Sequence, residues 1–172
     1  MKTFIESQFS YCPLVWMFCS RTMNNKINHI HERALRLVYQ DYAATFEDLL
    51  KKDGSLTFHH RNIHHVAIEM FKVKHDLSPP FMKEILIHKA NEKGTRSGDT
   101  FERPNVDSVK KGDRSLRSFG PIVWNEMLPN KLKECKSLTE FKNSVKTWTP
   151  DNCRCELCKT YVLGLGYTNV SD

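Results

Sequence analysis

At 172 residues with 40% apolar side chains, the chain is long enough for one globular domain, or for a domain with an appendage, and has ordinary core-forming content. Its 26 Lys and Arg against 20 Asp and Glu give a formal charge of +6 and a pI near 9.0, a balance that suits a polyanionic partner. The longest strongly apolar run, residues 11–19, is interrupted by Pro13 and falls far short of the roughly 20 residues a membrane span requires.

Polar Glu6, Ser7, Gln8 and Ser10 stand where a signal-peptide core would need unbroken apolar residues. Six cysteines, Cys12, Cys19, Cys135, Cys153, Cys155 and Cys158, therefore read as reduced thiols or metal ligands rather than as a disulfide framework. Ser10 can cap an opening helix in which an early Pro13 is tolerated. Leu14, Val15, Trp16, Met17 and Phe18 then make that helix apolar almost all round, the pattern of a core helix. Cys12 and Cys19, seven apart on one helical face, are expected to be buried as small hydrophobes.

The clearest periodicity lies in residues 24–39. Ile27, Ile30, Ala34, Leu35, Leu37 and Val38 recur at three- and four-residue steps, predicting a helix with that stripe buried. The opposite face holds Lys26, His29, Glu32, Arg33 and Arg36. Such a face is most often simply solvated; its basic excess also suits a phosphate backbone. Thr45-x-x-Asp48 imitates a capping box ahead of a short helix at 46–52 that ends at Asp53-Gly54. Ser55 or Thr57 starts a long helix at 58–75 with Ile63, Val66, Ala67, Met70 and Phe71 inside. Pro79 and Pro80 stop that region and can open a further helix at 81–88.

On the long helix His60 and His64 stand at i and i+4, a spacing that can clamp a metal ion. The positions between them are Arg61, Asn62 and Ile63, so the Glu that a zinc protease uses to activate water is missing. Structural or phosphate-facing histidines are the expected reading. Residues 89–112 lose their periodic apolar positions and carry Gly94, Gly98, Pro104 and Gly112, which marks a linker with room for one short strand. Beyond it, Leu116, Phe119, Ile122, Val123, Trp124 and Met127 predict one helix running across Gly120-Pro121. Ser137-x-x-Glu140 then caps a last helix at 138–148, whose inner residues are Leu138, Phe141, Val145 and Trp148 and whose outside carries Lys142 and Lys146 one turn apart.

In the tail, Cys155-x-x-Cys158 has the knuckle spacing in which two thiolates wrap one tetrahedral zinc, and Cys153 adds a third ligand. Cys135 could fold back as the fourth; a water, a histidine or a second chain are the alternatives, and three free thiols are the metal-free reading. Arg154 and Lys159 with Lys142 and Lys146 surround this tail with positive charge. No Asp-Asp pair, glycine-rich phosphate loop, G-x-S-x-G elbow or zincin motif occurs anywhere.

The blocks FSYCPLVWMFCSR and NNKINHIHERALRLVY, followed in order by FHHRNIHHVAIEMFKVKHDLSP, RSLRSFGPIVWNEMLP and KECKSLTEFKNSVKTWTPDNCRCELCKTY, resemble the region after the polymerase palm in reverse transcriptases of non-LTR, LINE-like retrotransposons of the jockey and chicken-repeat groups. The resemblance spans roughly residues 4–167. It implies a C-terminal portion of a longer RNA-directed DNA polymerase whose catalytic aspartates sit on a palm that these residues do not contain, so the chain by itself is expected to be inert. It implies a mainly α architecture: a thumb-like helical bundle at 1–88, the linker at 89–112, a small helical unit at 113–150 and a basic cysteine-rich tail at 151–172, possible site of a structural zinc. The partners it implies are RNA, DNA or an RNA–DNA hybrid, together with the palm. Lys26, Arg33, Arg36, Lys142, Lys146 and Arg154 are the candidate phosphate contacts, and Cys135, Cys153, Cys155 and Cys158 the candidate metal ligands. A helical protein-interaction module, exposing apolar surface around Trp16 and Phe18, and a relic without selected function are the competing readings.

Overall fold

The computed structural model describes residues 11–89, 100–105 and 115–150, and within them the chain is mainly α-helical. The first helix, α1 (Pro13–Trp16), is only one turn long. Pro13 occupies its first position, where a missing N–H costs nothing because that group has no intrahelical partner. Cys12 precedes it in the left-handed region at φ 49°, which turns its side chain out to solvent. Cys12 is thus exposed and Cys19 half-buried, not buried as the seven-residue spacing suggested. Ser10 lies outside the described residues. One side of α1 and the residues after it does enter the core: Met17 is buried, and Leu14 and Phe18 pack partly buried against the same cluster.

Helix α2 (Arg21–Tyr39) starts three residues earlier than the periodicity indicated, because Ser20 accepts a hydrogen bond from the Met23 amide at 3.3 Å. Its buried side chains are Asn24, Ile27, His31, Ala34 and Leu35, whereas Ile30, Leu37 and Val38 are exposed. At 100° per residue, the buried set is rolled by about 50° from the expected apolar stripe. Two polar residues account for the roll. The Asn24 amide donates inward to the carbonyls of Cys19 and Ser20 at 3.2 and 3.3 Å, and the His31 ring is wedged between Phe46 and Phe58, with ring centroids 5.5 and 4.8 Å away.

Helix α3 (Phe46–Asp53) is capped as the Thr45/Asp48 pattern foretells, with the Asp48 amide donating to Thr45 Oγ1 at 3.2 Å. Phe46, Leu49 and Leu50 close a small core with Leu35 of α2. Gly54, at φ +64°, ends the helix in the left-handed conformation that glycine adopts without strain.

Helix α4 (Phe58–Lys74), capped by Thr57, is the element on which α1, α2 and much of the second half of the chain pack. After it come α5 (Phe81–Ile85) and a two-stranded antiparallel ladder, β1 (His88–Lys89) with β2 (Thr100–Phe101), in the register His88 to Phe101.

Helix α6 (Leu116–Ile122) begins at the Ser115 cap and contains Pro121. A proline inside a helix has no N–H to give to the preceding turn, and the chain continues as a π-helical turn, Val123–Met127, closed by a Leu128 amide that reaches back five residues to the Val123 carbonyl at 2.9 Å. The single helix expected across Gly120-Pro121 is therefore two differently wound pieces. Helices α7 (Asn130–Lys133) and α8 (Leu138–Thr147) follow, the latter capped by Ser137 at 3.2 Å from the Glu140 amide.

One large core joins these pieces. Met17, Ile63, Val66, Met70, Phe71, Leu86, Phe101, Val123, Trp124, Phe141 and Val145 belong to a single buried cluster. Aromatic contacts run through it: Phe101 meets Trp124 edge-on at 5.7 Å, Trp124 meets Phe141 at 6.3 Å, and Phe141 stacks on Phe71 at 4.3 Å. Gly120 lets α6 approach α4, since a Cβ there would stand 2.7 Å from the Met70 sulfur. Residues from the 1–88 stretch and from the 113–150 stretch thus share one interior, although the sequence had set them apart as separate units.

Candidate nucleic-acid interface

The roll of α2 decides which of its cations face solvent. Lys26 and Arg33 are exposed and lie seven residues apart, two helical turns, so they share a row along the outer face. Arg36 is differently placed. Its guanidinium is half-buried, paired with Glu32 at 2.8 Å, and donates to the Tyr42 and Ala44 carbonyls at 2.5 and 3.3 Å. Those bonds tie the end of α2 to the loop before α3, which makes Arg36 a clamp for the chain turn. His29 stands 3.7 Å from the same Glu32.

On α8, Phe141 and Val145 point inward and leave Lys142 and Lys146 exposed one turn apart. None of Lys26, Arg33, Lys142 and Lys146 forms an ion pair among the described residues. The two rows stand on different helices that are both anchored to α4, α2 through His31 against Phe58 and α8 through Phe141 against Phe71. Arg154 lies outside the described residues.

The end of α8 is pinned to the middle of α4 by His64. Its Nε2 lies 2.8 Å from the Trp148 carbonyl, and its ring stacks on the Trp148 indole at 5.6 Å. A carbonyl only accepts, so this nitrogen carries the hydrogen. Burial lowers the His64 pKa from its ordinary value, against the raising effect of the Trp148 carbonyl; the neighbouring His65 lowers it slightly further. His64 is thus a neutral structural histidine rather than half of an i, i+4 metal clamp.

The metal candidates divide similarly. Cys135 is 9% exposed and belongs to the main apolar cluster with Leu132 and Phe141, because the turn after α7 directs it inward. Cys153, Cys155 and Cys158 lie outside the described residues. Among the described residues no group of three or more His, Cys, Asp or Glu could hold a metal ion, and no helix is long and apolar enough to cross a membrane.

Two features escaped the sequence. The first is a row of exposed apolar side chains on α2, Met23, Ile30 and Leu37 at 45, 49 and 67% exposure, running beside Lys26 and Arg33. Ile30 and Leu37 belong to the stripe that the periodicity assigns to the core, and Met23 precedes the helix as the sequence bounds it. The second is a pair of half-buried lysines, Lys74 and Lys133, which meet although 59 positions apart. Comparison with known protein families, characterised proteins and solved structures finds no match to the chain.

Proposed function

We propose that this chain binds nucleic acid through its phosphate backbone, without sequence preference and without catalysis, as the post-palm portion of a non-LTR retrotransposon reverse transcriptase. The observation that carries this reading is the pair of exposed cationic rows, Lys26 with Arg33 on α2 and Lys142 with Lys146 on α8, each at a helical step that keeps its charges on one face. The order of the resembling sequence blocks supports the parentage. Rigid helices presenting point charges to a duplex grip its backbone and shape rather than its base edges. An RNA–DNA hybrid is the substrate class, and the palm of the parent polymerase is the protein partner. In this reading the exposed Met23, Ile30 and Leu37 row is the face that a neighbouring domain covers.

Four phosphate contacts give a slope of log binding constant against log salt of roughly −3 to −4, with micromolar or weaker affinity at physiological salt. Fluorescence anisotropy across several salt concentrations, with hybrid, duplex DNA and single strands, measures this. Lys142→Glu and Lys146→Glu should weaken every sequence alike. A primer-extension assay should stay blank. Absence of binding to any of these at low salt would leave the second reading, a protein-interaction module, which the exposed apolar row of α2 favours.

The tail contributes Arg154 and, in this proposal, a structural zinc held by Cys153, Cys155 and Cys158 with Cys135 as the fourth donor, or in its place a histidine, a water or a second chain. Elemental analysis of protein purified without chelator should then give about one zinc per chain. Cys155→Ser should abolish it and Cys12→Ser should not, while metal-free protein with freely titrating tail thiols would refute it.

A further inference from the structure

Helix α2 is 19 residues long and packs one side on α3 and α4. Its roll is fixed by the inward bonds of Asn24 and by His31 between Phe46 and Phe58. On the outer side Met23, Ile30 and Leu37 stand exposed, successive members about 10.5 Å apart along the axis. Lys26 and Arg33 are interleaved with them. Lys26 lies three residues after Met23 and four before Ile30, and Arg33 stands likewise between Ile30 and Leu37. Residues at those separations are neighbours on a helix surface, so the two exposed cations flank the apolar row along one side. The one acidic side chain of α2, Glu32, is held by Arg36 at 2.8 Å on the opposite side.

A row that repeats every seven residues falls back by about 20° per repeat around a straight helix. A second helix crossing at about 20° follows such a row along its length and inserts side chains between its members. A lipid surface takes a helix with an apolar sector of about 100° or more. Here Ile27 and Ala34, beside the row, are buried, so the exposed line stays narrow until Val38 widens it in the last turn. A second copy of this face would set Lys26 and Arg33 against their own like. The complementary flank is acidic. Carboxylates beside the incoming seam meet the Lys26 ammonium and the Arg33 guanidinium, the latter able to hold one in a two-bond fork, while both stems stay along the apolar row.

We propose that the outer face of α2 docks an amphipathic helix of a partner protein, with its apolar seam on Met23, Ile30 and Leu37 and its acidic flank on Lys26 and Arg33. The proposal rests on the reading that a protein covers this row; it does not rest on nucleic-acid binding. A seated helix takes the two cations that are otherwise offered to phosphate, so helix docking and phosphate contact exclude one another on α2.

The test uses the full chain and a labelled designed peptide of the length of α2, with leucines along one face and glutamates on both flanks, beside a second peptide with lysines in place of the glutamates. Anisotropy titrations should show the glutamate peptide binding about tenfold or more tighter than the lysine peptide. Lys26→Glu combined with Arg33→Glu should reverse that preference. Ile30→Ser and Leu37→Ser, at exposed positions and checked for retained helicity by circular dichroism, should each weaken the glutamate peptide about tenfold. Phe81→Ser, exposed on α5, should leave it unchanged. Equal affinity for the two peptides, a preference that survives the charge reversal, or equal effects of Phe81→Ser and Leu37→Ser overturns the proposal. So does a dimer broken by Leu37→Ser, which assigns the row to a second copy. Binding to phosphatidylserine vesicles that Leu37→Ser abolishes, without peptide binding, overturns it in favour of a lipid surface. An RNA–DNA hybrid titrated in parallel separates the two readings: peptide binding without hybrid binding keeps this proposal and removes the phosphate reading, and hybrid binding without peptide binding does the reverse. Where both bind, saturating glutamate peptide should lower the affinity for the hybrid, and an unchanged affinity overturns the mutual exclusion.

Discussion

At the level of single residues, the side chains that matter most here are polar ones holding positions that periodicity assigns to apolar residues, or cations doing a structural task. Arg36 illustrates the second case: four residues C-terminal to Glu32 and on a basic face, it reads as a phosphate contact, yet its donors close the loop to α3. His64 illustrates the first and sets a pH dependence. Its folded pKa is lowered, chiefly by burial, so the unfolded chain takes up the proton near the ordinary histidine value of about 6.5 and the folded chain only at lower pH. Protons therefore favour the unfolded state in the interval between the two values. The His64 contribution to stability is complete above about pH 6.5 and is lost as pH falls from there toward the folded pKa. Denaturant unfolding at a series of pH values should show stability declining below that point, with His64→Gln flattening the decline. An equally steep profile in the variant would assign the effect to other histidines.

At the level of elements, caps and breakers were the most legible features because their chemistry is local. Thr45, Thr57 and Ser137 each accept a backbone N–H three residues on, as their spacing foretells. Rotation about a helix axis is not local in this sense. Helix α2 has more apolar residues than its neighbours can cover, and the choice between Ile30 and His31 as the inward residue depends on Phe46 and Phe58, which arrive from two other helices. Two substitutions read this roll directly. Leu35→Ala removes a fully buried side chain and should cost about 2 to 5 kcal/mol. Leu37→Ala, two positions away and mostly exposed, should fall within about 0.5 kcal/mol of wild type. Equal losses would place Leu37 under cover and argue against the exposed apolar row. Chemical denaturation of the two variants is sufficient.

At the level of the whole molecule, the shared core has an energetic consequence. Met17 and Phe71 lie in the same cluster as Trp124, Phe141 and Val145, and full burial of each such side chain contributes about 1.5 to 3 kcal/mol. A fragment of residues 1–88 lacks Trp124, Phe141 and Val145 and should be largely unfolded by circular dichroism. Trp124→Ala in the full chain should lower stability by about 3 to 5 kcal/mol while preserving a single unfolding transition. A cooperatively folded 1–88 fragment, or two transitions in the full chain, would show instead that the halves are independent. The sequence by itself determined the mainly helical class, most helix starts and stops, the basic outer faces of α2 and α8, and the lack of an Asp-Asp pair or a nucleotide loop. All of these follow from residue spacing within a few turns of chain. Only the tertiary structure decided that α4 carries both halves on one core, that α2 is rolled to expose Ile30 and Leu37, that Cys135 is a core residue, and that Lys74 meets Lys133. Each of those depends on which surfaces meet across many tens of residues, and burial, which sets the outcome, is a property of the packed whole that no local pattern encodes.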